Sequence, residues 1–181
     1  MATSSPAGLR GPLVVLLVSA ALVAASCTQQ GTILPSAQTI TGSAEPAADF
    51  SVVTFAGPTF SLSGHLAEDG RPVFLNLWAS WCFPCRAEMP DIDEAATRHP
   101  DVAFIGIAVA DDVDRARDFA DEIAVGYPLA FDENDLVENG YRPVGLPATY
   151  LISPDGVIVE TIFGPLTADQ IDDKLELHFG S

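Results

Sequence analysis

Cys82 and Cys85 are the residues of this chain whose type and spacing indicate chemistry most directly. They lie in the stretch WASWCFPCRAEMP, with Phe83 and Pro84 between them. Two thiols at this spacing could bind a metal ion, form a structural crosslink or exchange a disulfide with another molecule. The third cysteine, Cys27, lies far upstream.

Metal binding and a structural crosslink are both disfavoured. A structural zinc site needs four ligands, usually two such pairs or one pair with two closely spaced histidines. The chain has no second pair, and His65, His99 and His178 are far apart in sequence. A disulfide that closes so short a loop removes little chain entropy. We therefore predict no metal and no cofactor.

Disulfide exchange fits the local pattern better. The run VFLNLW is typical of a buried strand, and a helix is predicted from about residue 83 to 99. Cys82 would then lie at the helix N-terminus, where unpaired N–H groups stabilise a thiolate. Cys85, one turn on, can reach back to Cys82, and Pro84 suits the first turn. The Cys82 thiolate would attack a partner disulfide, and Cys85 would release the mixed disulfide.

The remaining elements predict an α/β domain over residues 49–181. Strands are expected at residues 50–55, 58–62, 73–78, 102–110, 128–131, 148–152 and 157–163, with a polar loop at 64–72. Helices are expected at residues 112–123 and 134–141 and from Thr167 onward, with Asp111 or Asp112 capping the first of them. Because Ser153-Pro154-Asp155-Gly156 predicts a hairpin, the sheet should be mixed. The cysteine pair follows a strand at the edge where such sheets place reactive groups.

The N-terminal residues predict export. Residues 1–26 combine Arg10 with an apolar run, as a signal peptide does, and the run is too short to span a membrane comfortably. Residues 27–48 are rich in small and polar side chains and predict a flexible tether. The formal net charge of −17 and the single lysine argue against nucleic-acid binding.

The string FLNLWASWCFPCRAEMP resembles the active site of the thioredoxin superfamily, and in particular its exported TlpA-like branch, which includes ResA and CcmG proteins. The resemblance covers about residues 49–179. It implies a thioredoxin-like fold, a central mixed sheet flanked by helices with an N-terminal strand extension, and a thiol-disulfide oxidoreductase with a redox disulfide between Cys82 and Cys85. It also implies that Pro90 kinks the active-site helix.

Further residues match this branch. GLPATYLISPDG resembles the family segment with a cis-proline, which assigns the cis bond to Leu146–Pro147 and places Pro147 opposite the cysteines. Typical thioredoxins have a buried aspartate where this chain has Asn76, and several TlpA-like proteins have a glutamate where it has Glu88. If Glu88 is partly buried, it could accept the Cys85 proton. The alternative is a solvated glutamate paired with an arginine.

Other side chains near the pair allow two interpretations each. Trp81 and Phe83 flank Cys82 and would either pack internally or form an apolar platform for a client, together with Leu146 and Pro147. Arg86 would either stabilise thiolate charge or point to water.

The segment VAASC resembles a bacterial lipoprotein signal, which implies a lipid on Cys27, although Ala24 departs from the usual leucine. The protein would then be anchored by lipid to the outer face of the bacterial cell membrane; otherwise it would be secreted. Its expected partners are protein thiol or disulfide clients and a membrane electron donor or acceptor, and it is expected to be a monomer.

The direction of electron flow stays open in the sequence. Phe83 and Pro84 supply no cation to stabilise a Cys82 thiolate, which favours a reductant of apocytochrome c or metal-site thiols, and an oxidant of exported proteins is the alternative. A thiol peroxidase would need a threonine at Ala79. A non-catalytic binding module would more often lack a cysteine or the facing proline.

Overall fold

The described part of the protein is built around one mixed sheet. A computed structural model describes residues 38–40 and 45–180. The strands are β1 (Gln38–Ile40), β2 (Glu45–Pro46), β3 (Ser51–Val53), β4 (Thr59–Ser61), β5 (Val73–Trp78), β6 (Ala103–Ala108), β7 (Leu129–Phe131), β8 (Ala148–Ile152) and β9 (Val157–Phe163). The helices are α1 (Leu62–Glu68), α2 (Phe83–Arg98), α3 (Val113–Ile123), α4 (Leu136–Tyr141) and α5 (Ala168–Phe179).

The strand order confirms the predicted mixed α/β sheet. The order is β1-β9-β8-β5-β6-β7, and β2 also pairs with β9. Strands β5, β6 and β7 are parallel, whereas β8 is antiparallel to both β5 and β9. A two-stranded antiparallel hairpin, β3–β4, forms the N-terminal extension. The carboxyl ends of β5 and β6 therefore lie side by side, next to the start of α2.

Strand β5 is buried on both faces, as its continuous apolar run predicts. Phe74 and Trp78 pack into one cluster with residues of α2, α3 and α5. Leu75 and Leu77 pack into a second cluster with residues of α1 and α4. Because the side chains alternate between two packed layers, the end of β5 is held firmly, and so is the chain that leads into α2.

Helix α1 lies where the sequence predicts a polar loop. Ser61 caps it through a hydrogen bond from the Gly64 N–H at 3.3 Å, and Asp49 accepts hydrogen bonds from the N–H and hydroxyl of Ser63. The prediction of a loop was wrong because a helix of seven residues is too short to show a clear apolar period.

Two short strands fall within the segment predicted to be a flexible tether. Gln38–Ile40 pairs with residues 161–163 of β9, and Glu45–Pro46 pairs with residues 157–158. The edge of β9 presents unpaired backbone groups, which an extended segment can pair with whatever its side-chain pattern. Composition alone therefore does not reveal these pairings.

The predicted signal residues 1–26 and Cys27 lie outside the described residues. Among the helices of residues 45–180, none combines the length and the apolar character that crossing a membrane requires.

Candidate active site

The cysteine pair lies at the N-terminus of α2. Cys82 is the N-cap residue, and its sulfur accepts a hydrogen bond from the Cys85 N–H at 3.2 Å. The two cysteines form a disulfide, with their Cα atoms 5.3 Å apart. Cys82 is 4% exposed and Cys85 is fully buried. Because Cys85 has no exposed surface, Cys82 is the cysteine of the pair that an external thiol or disulfide can reach.

Two exposed aromatic side chains flank Cys82. Trp81 is 62% exposed and Phe83 is 81% exposed. The indole N–H of Trp81 donates a hydrogen bond to the Ala110 carbonyl at 3.0 Å, which fixes the ring while leaving its face open. Of the two interpretations of this pair, internal packing does not fit side chains that are mostly in solvent.

The Leu146–Pro147 peptide bond is cis, as the resemblance implies. Leu146 packs against the apolar cluster that contains both cysteines. The Pro147 carbonyl accepts a hydrogen bond from the Gly164 N–H at 2.9 Å, which ties this segment to the end of β9. Val144, just before it, is 82% exposed.

Glu88 lies on the buried face of α2, one turn after Cys85. It is 1% exposed. Its Oε1 accepts a hydrogen bond from the Leu166 N–H at 3.1 Å, and its Oε2 accepts one from Asn76 Nδ2 at 3.4 Å. Burial raises the pKa of Glu88 to about 8, although both hydrogen bonds oppose the rise. Glu88 is therefore not the solvated, arginine-paired residue of the alternative interpretation.

Asn76 holds Glu88 in place rather than acting as an acid or base. Its Nδ2 also donates to Thr149 Oγ1 at 3.2 Å, so β5, β8 and α2 meet in one buried polar group. Arg86 is engaged elsewhere: its guanidinium pairs with Glu122 at 2.7 Å and lies 4.5 Å from the centre of the Phe119 ring.

The sequence interpretation missed a second carboxylate that fixes the loop before Cys82. Asp111 follows β6, and its Oδ1 and Oδ2 accept hydrogen bonds from the Ser80 hydroxyl at 2.9 Å and the Ser80 N–H at 2.5 Å. The sequence indicates only that Asp111 or Asp112 caps α3, and Asp112 is the cap. The signal that was available is the position of Asp111 at the carboxyl end of a strand beside β5.

The three histidines have ordinary partners. His99 lies 2.8 Å from Asp172, His178 lies 2.8 Å from Glu160, and His65 contacts the Arg71 carbonyl. Across residues 45–180, no three His, Cys, Asp or Glu side chains come together in a group that could hold a metal ion.

Residues 44–161 match the AhpC/TSA family. The chain belongs to this family. It is 31% identical over 137 residues to the thioredoxin-like protein YneN of Bacillus subtilis, which covers 74% of this chain and 78% of YneN. It is 32% identical over 137 residues to the thiol-disulfide oxidoreductase ResA of Geobacillus kaustophilus, covering 75% of this chain and 76% of ResA.

The fold is also that of known oxidoreductases. The crystal structure of a secreted Mycobacterium tuberculosis disulfide oxidoreductase, described as homologous to Escherichia coli DsbE, superposes with a TM-score of 0.60 at 25% identity, over 71% of this chain and 95% of that one. Together with the relatives, this confirms the predicted thioredoxin-like fold and the predicted class of enzyme, a thiol-disulfide oxidoreductase. A thiol peroxidase would have a threonine at position 79, where this chain has the buried Ala79.

Proposed function

We propose that this protein is an extracytoplasmic reductant that cleaves disulfides in other exported proteins through Cys82 and Cys85. The observation that carries the proposal is the disulfide at the start of α2, with the buried Glu88 one turn further along the same helix. A static crosslink would not require an ionisable group of shifted pKa on the same buried helix face. Such groups are concentrated at reactive sites.

The reaction proceeds in two exchanges. The Cys82 thiolate attacks one sulfur of the client disulfide, forms the mixed disulfide and releases the other client sulfur as a thiolate. Cys85 then loses its proton and attacks the Cys82 sulfur, which closes the Cys82–Cys85 disulfide and frees the second client thiolate. The client gains two electrons and the enzyme loses two.

Glu88 is the group that we propose accepts the Cys85 proton. Cys85 is fully buried, so water does not deprotonate it easily. A carboxyl group with a pKa of about 8 exchanges protons effectively near neutral pH, because both of its protonation states are populated there. The same group returns the proton to Cys85 when a membrane donor reduces the enzyme.

The surroundings of Cys82 support the reducing direction. Phe83 and Pro84 add no positive charge beside the sulfur, and Arg86 is paired with Glu122. A thiolate without a stabilising cation makes the reduced form less stable and the protein more reducing. The TlpA-like resemblance points to apocytochrome c or metal-site thiols as clients.

We propose that clients bind across Trp81, Phe83, Leu146 and Pro147. The two aromatic side chains are exposed beside the reactive sulfur, and the cis-proline segment packs against the cysteine cluster. An apolar platform beside the reactive sulfur suits an extended peptide on either side of a client cysteine.

Anchoring by lipid on Cys27 is part of the proposal. It predicts that Cys27→Ser abolishes incorporation of radiolabelled palmitate and releases the protein from membranes of the producing bacterium, while wild-type protein stays bound. Retention of label in Cys27→Ser would contradict it. Gel filtration of the Cys27→Ser protein should show a monomer.

The equilibrium potential against glutathione or dithiothreitol tests the direction. A value near −250 mV supports the reductant, whereas a value near −130 mV would make the protein an oxidant that introduces disulfides. Insulin reduction, with Cys82→Ser as the inactive control, distinguishes both from a binding module, which would leave insulin intact.

A further inference from the structure

The Asp111 side chain fastens the loop between β5 and Cys82 to the loop after β6. Asp111 accepts two hydrogen bonds from Ser80, one from the backbone N–H and one from the hydroxyl. Its carboxylate also accepts a hydrogen bond from the Asp112 N–H at 2.8 Å. The Asp111 side chain is fully buried. Both oxygens are therefore committed to this junction, two residues before the reactive sulfur.

The backbone next to Asp111 provides a second contact with the loop before Cys82. Ala110 has φ of +50°, a left-handed conformation that costs about 1 kcal/mol for a residue with a Cβ. In this conformation its carbonyl accepts the Trp81 indole hydrogen bond. Ser80 and Trp81 are thus both held by residues 110–111, so the position of Cys82 depends on this loop.

The charge of Asp111 is not neutralised within this junction. Its three donors are two backbone N–H groups and a hydroxyl, none of which carries a formal charge. The cation that faces it is Arg115, whose Nε lies 4.0 Å from Oδ1 and whose side chain is 70% exposed. Because the Arg115 side chain is mostly in water, it offsets only part of the Asp111 charge. Of the other charged groups near the cysteines, Arg86 is paired with Glu122 and Glu88 is held by neutral donors.

We propose that Asp111 is a positioning residue that also sets the redox potential. Its buried negative charge disfavours the Cys82 thiolate, and so it favours the disulfide over the reduced pair. Reduction of the disulfide takes up two electrons and, when Cys82 stays a thiolate, one proton on Cys85. The new negative charge appears on Cys82, two residues after Ser80, which Asp111 holds. Asp111 therefore makes the protein more reducing. This inference rests on the proposed use of the cysteine pair in exchange.

The test compares full-length variants equilibrated with glutathione at constant ionic strength. Asp111→Asn keeps an acceptor for Ser80 but removes the charge, and it should raise the equilibrium constant for reduction about tenfold, which equals about 30 mV. The pKa of Cys82 in the reduced protein, measured from the pH dependence of its reaction rate with iodoacetamide, should fall in the same variant. Asp112→Asn removes the same charge from the exposed helix cap and should change the constant less than about twofold.

Two more variants separate charge from loop position. Ser80→Ala removes a hydrogen bond to the same carboxylate and leaves its charge, so the constant should change less than about twofold. Arg115→Glu places a negative charge at an exposed helical position beside Asp111 and should lower the constant. If Asp111→Asn does not fold, this variant still tests whether charge at this position sets the redox equilibrium.

An unchanged constant in Asp111→Asn, an equal rise in Ser80→Ala, or no decrease in Arg115→Glu would each overturn the proposal. Each shift is measured against the parent protein. A parent potential near −130 mV would therefore contradict the proposed reductant while a tenfold rise in Asp111→Asn would still support the role of Asp111.

Discussion

Two buried glutamates on the same side of the sheet have opposite electrostatic surroundings. Glu88, under α2, is 1% exposed and accepts hydrogen bonds from a backbone N–H and an amide. Glu160, on β9 under α5, is 5% exposed and contacts Lys174 at 2.5 Å and His178 at 2.8 Å. Burial raises the pKa of Glu88 to about 8. Burial also acts on Glu160, but hydrogen bonds from Lys174 and His178 outweigh it and hold its pKa below the ordinary value.

The difference suits Glu88 to the proposed proton exchange and Glu160 to a structural role. The chain has one lysine, and it is placed at Glu160, not at the cysteines. Glu160 is a charged tie between β9 and α5. The hydrogen-bond donors to Glu88 are neutral and its pKa stays raised, as the proposed proton exchange with Cys85 requires.

The largest expected effect is on stability in Glu88→Gln. Because the pKa of Glu88 is higher in the folded protein than in the unfolded chain, the folded protein binds more protons between about pH 4.5 and pH 8 and loses stability across this window as pH rises. Glutamine does not titrate, so its free energy of unfolding should not fall in this way. The difference between the variant and the parent should therefore shift by about 3 kcal/mol in favour of the variant from pH 5 to pH 8. Urea unfolding of the oxidised proteins measures it. A constant difference across this range would contradict the account.

The second effect is on the rate of exchange. Glu88→Gln should slow the release of the mixed disulfide about a hundredfold at pH 7, because Cys85 loses its proton acceptor. The parent rate should rise toward about pH 8 as Glu88 ionises. Stopped-flow fluorescence with a peptide disulfide measures both. Glu160→Gln is the matched control, a buried glutamate changed in the same way, and its rate should stay within about twofold of the parent.

The third effect is on the stability of the Glu160→Gln variant. Glu160→Gln should lower the free energy of unfolding by about 2 kcal/mol at pH 7, since Lys174 and His178 lose a buried partner. The pKa of Glu160 is depressed, so its contribution is present above about pH 4.5 and is lost as pH falls below that value. Urea unfolding at pH 7 and pH 3.5 checks this. A variant as stable as the parent at pH 7 would remove Glu160 as a structural tie.

The smallest effect concerns an ion pair that is not buried. Glu122 pairs with Arg86 near the cysteines but is 65% exposed. Glu122→Gln should leave the unfolding free energy unchanged within error, because water screens such pairs. A clear loss of stability would show that exposure does not separate the weak pair from the strong one.

The sequence was sufficient for the local chemistry and for the main elements. The spacing of Cys82 and Cys85 after a buried strand predicted a reactive pair at a helix N-terminus, and the structure has it there. The resemblance identified Leu146–Pro147 as the cis bond. These features are encoded within a few neighbouring residues, which is why pattern and motif reveal them.

Long-range partners could not be predicted. The donor to Glu88 Oε1 is the backbone of Leu166, 78 residues away, so the sequence left Glu88 between a buried and a solvated interpretation. The contact of Asp111 with Ser80 spans 31 residues. Backbone pairing of residues 38–40 with β9 leaves no side-chain pattern at all.

The most direct test of the account is a titration of the glutamate side-chain carboxyls by 13C NMR in the oxidised protein, with Glu88→Gln and Glu160→Gln used for assignment. The account predicts that the Glu88 resonance titrates with a pKa of about 8, while Glu160 titrates below its ordinary value. A Glu88 carboxyl that titrates near 4.5, like a solvated glutamate, would contradict its role as the proton acceptor for Cys85.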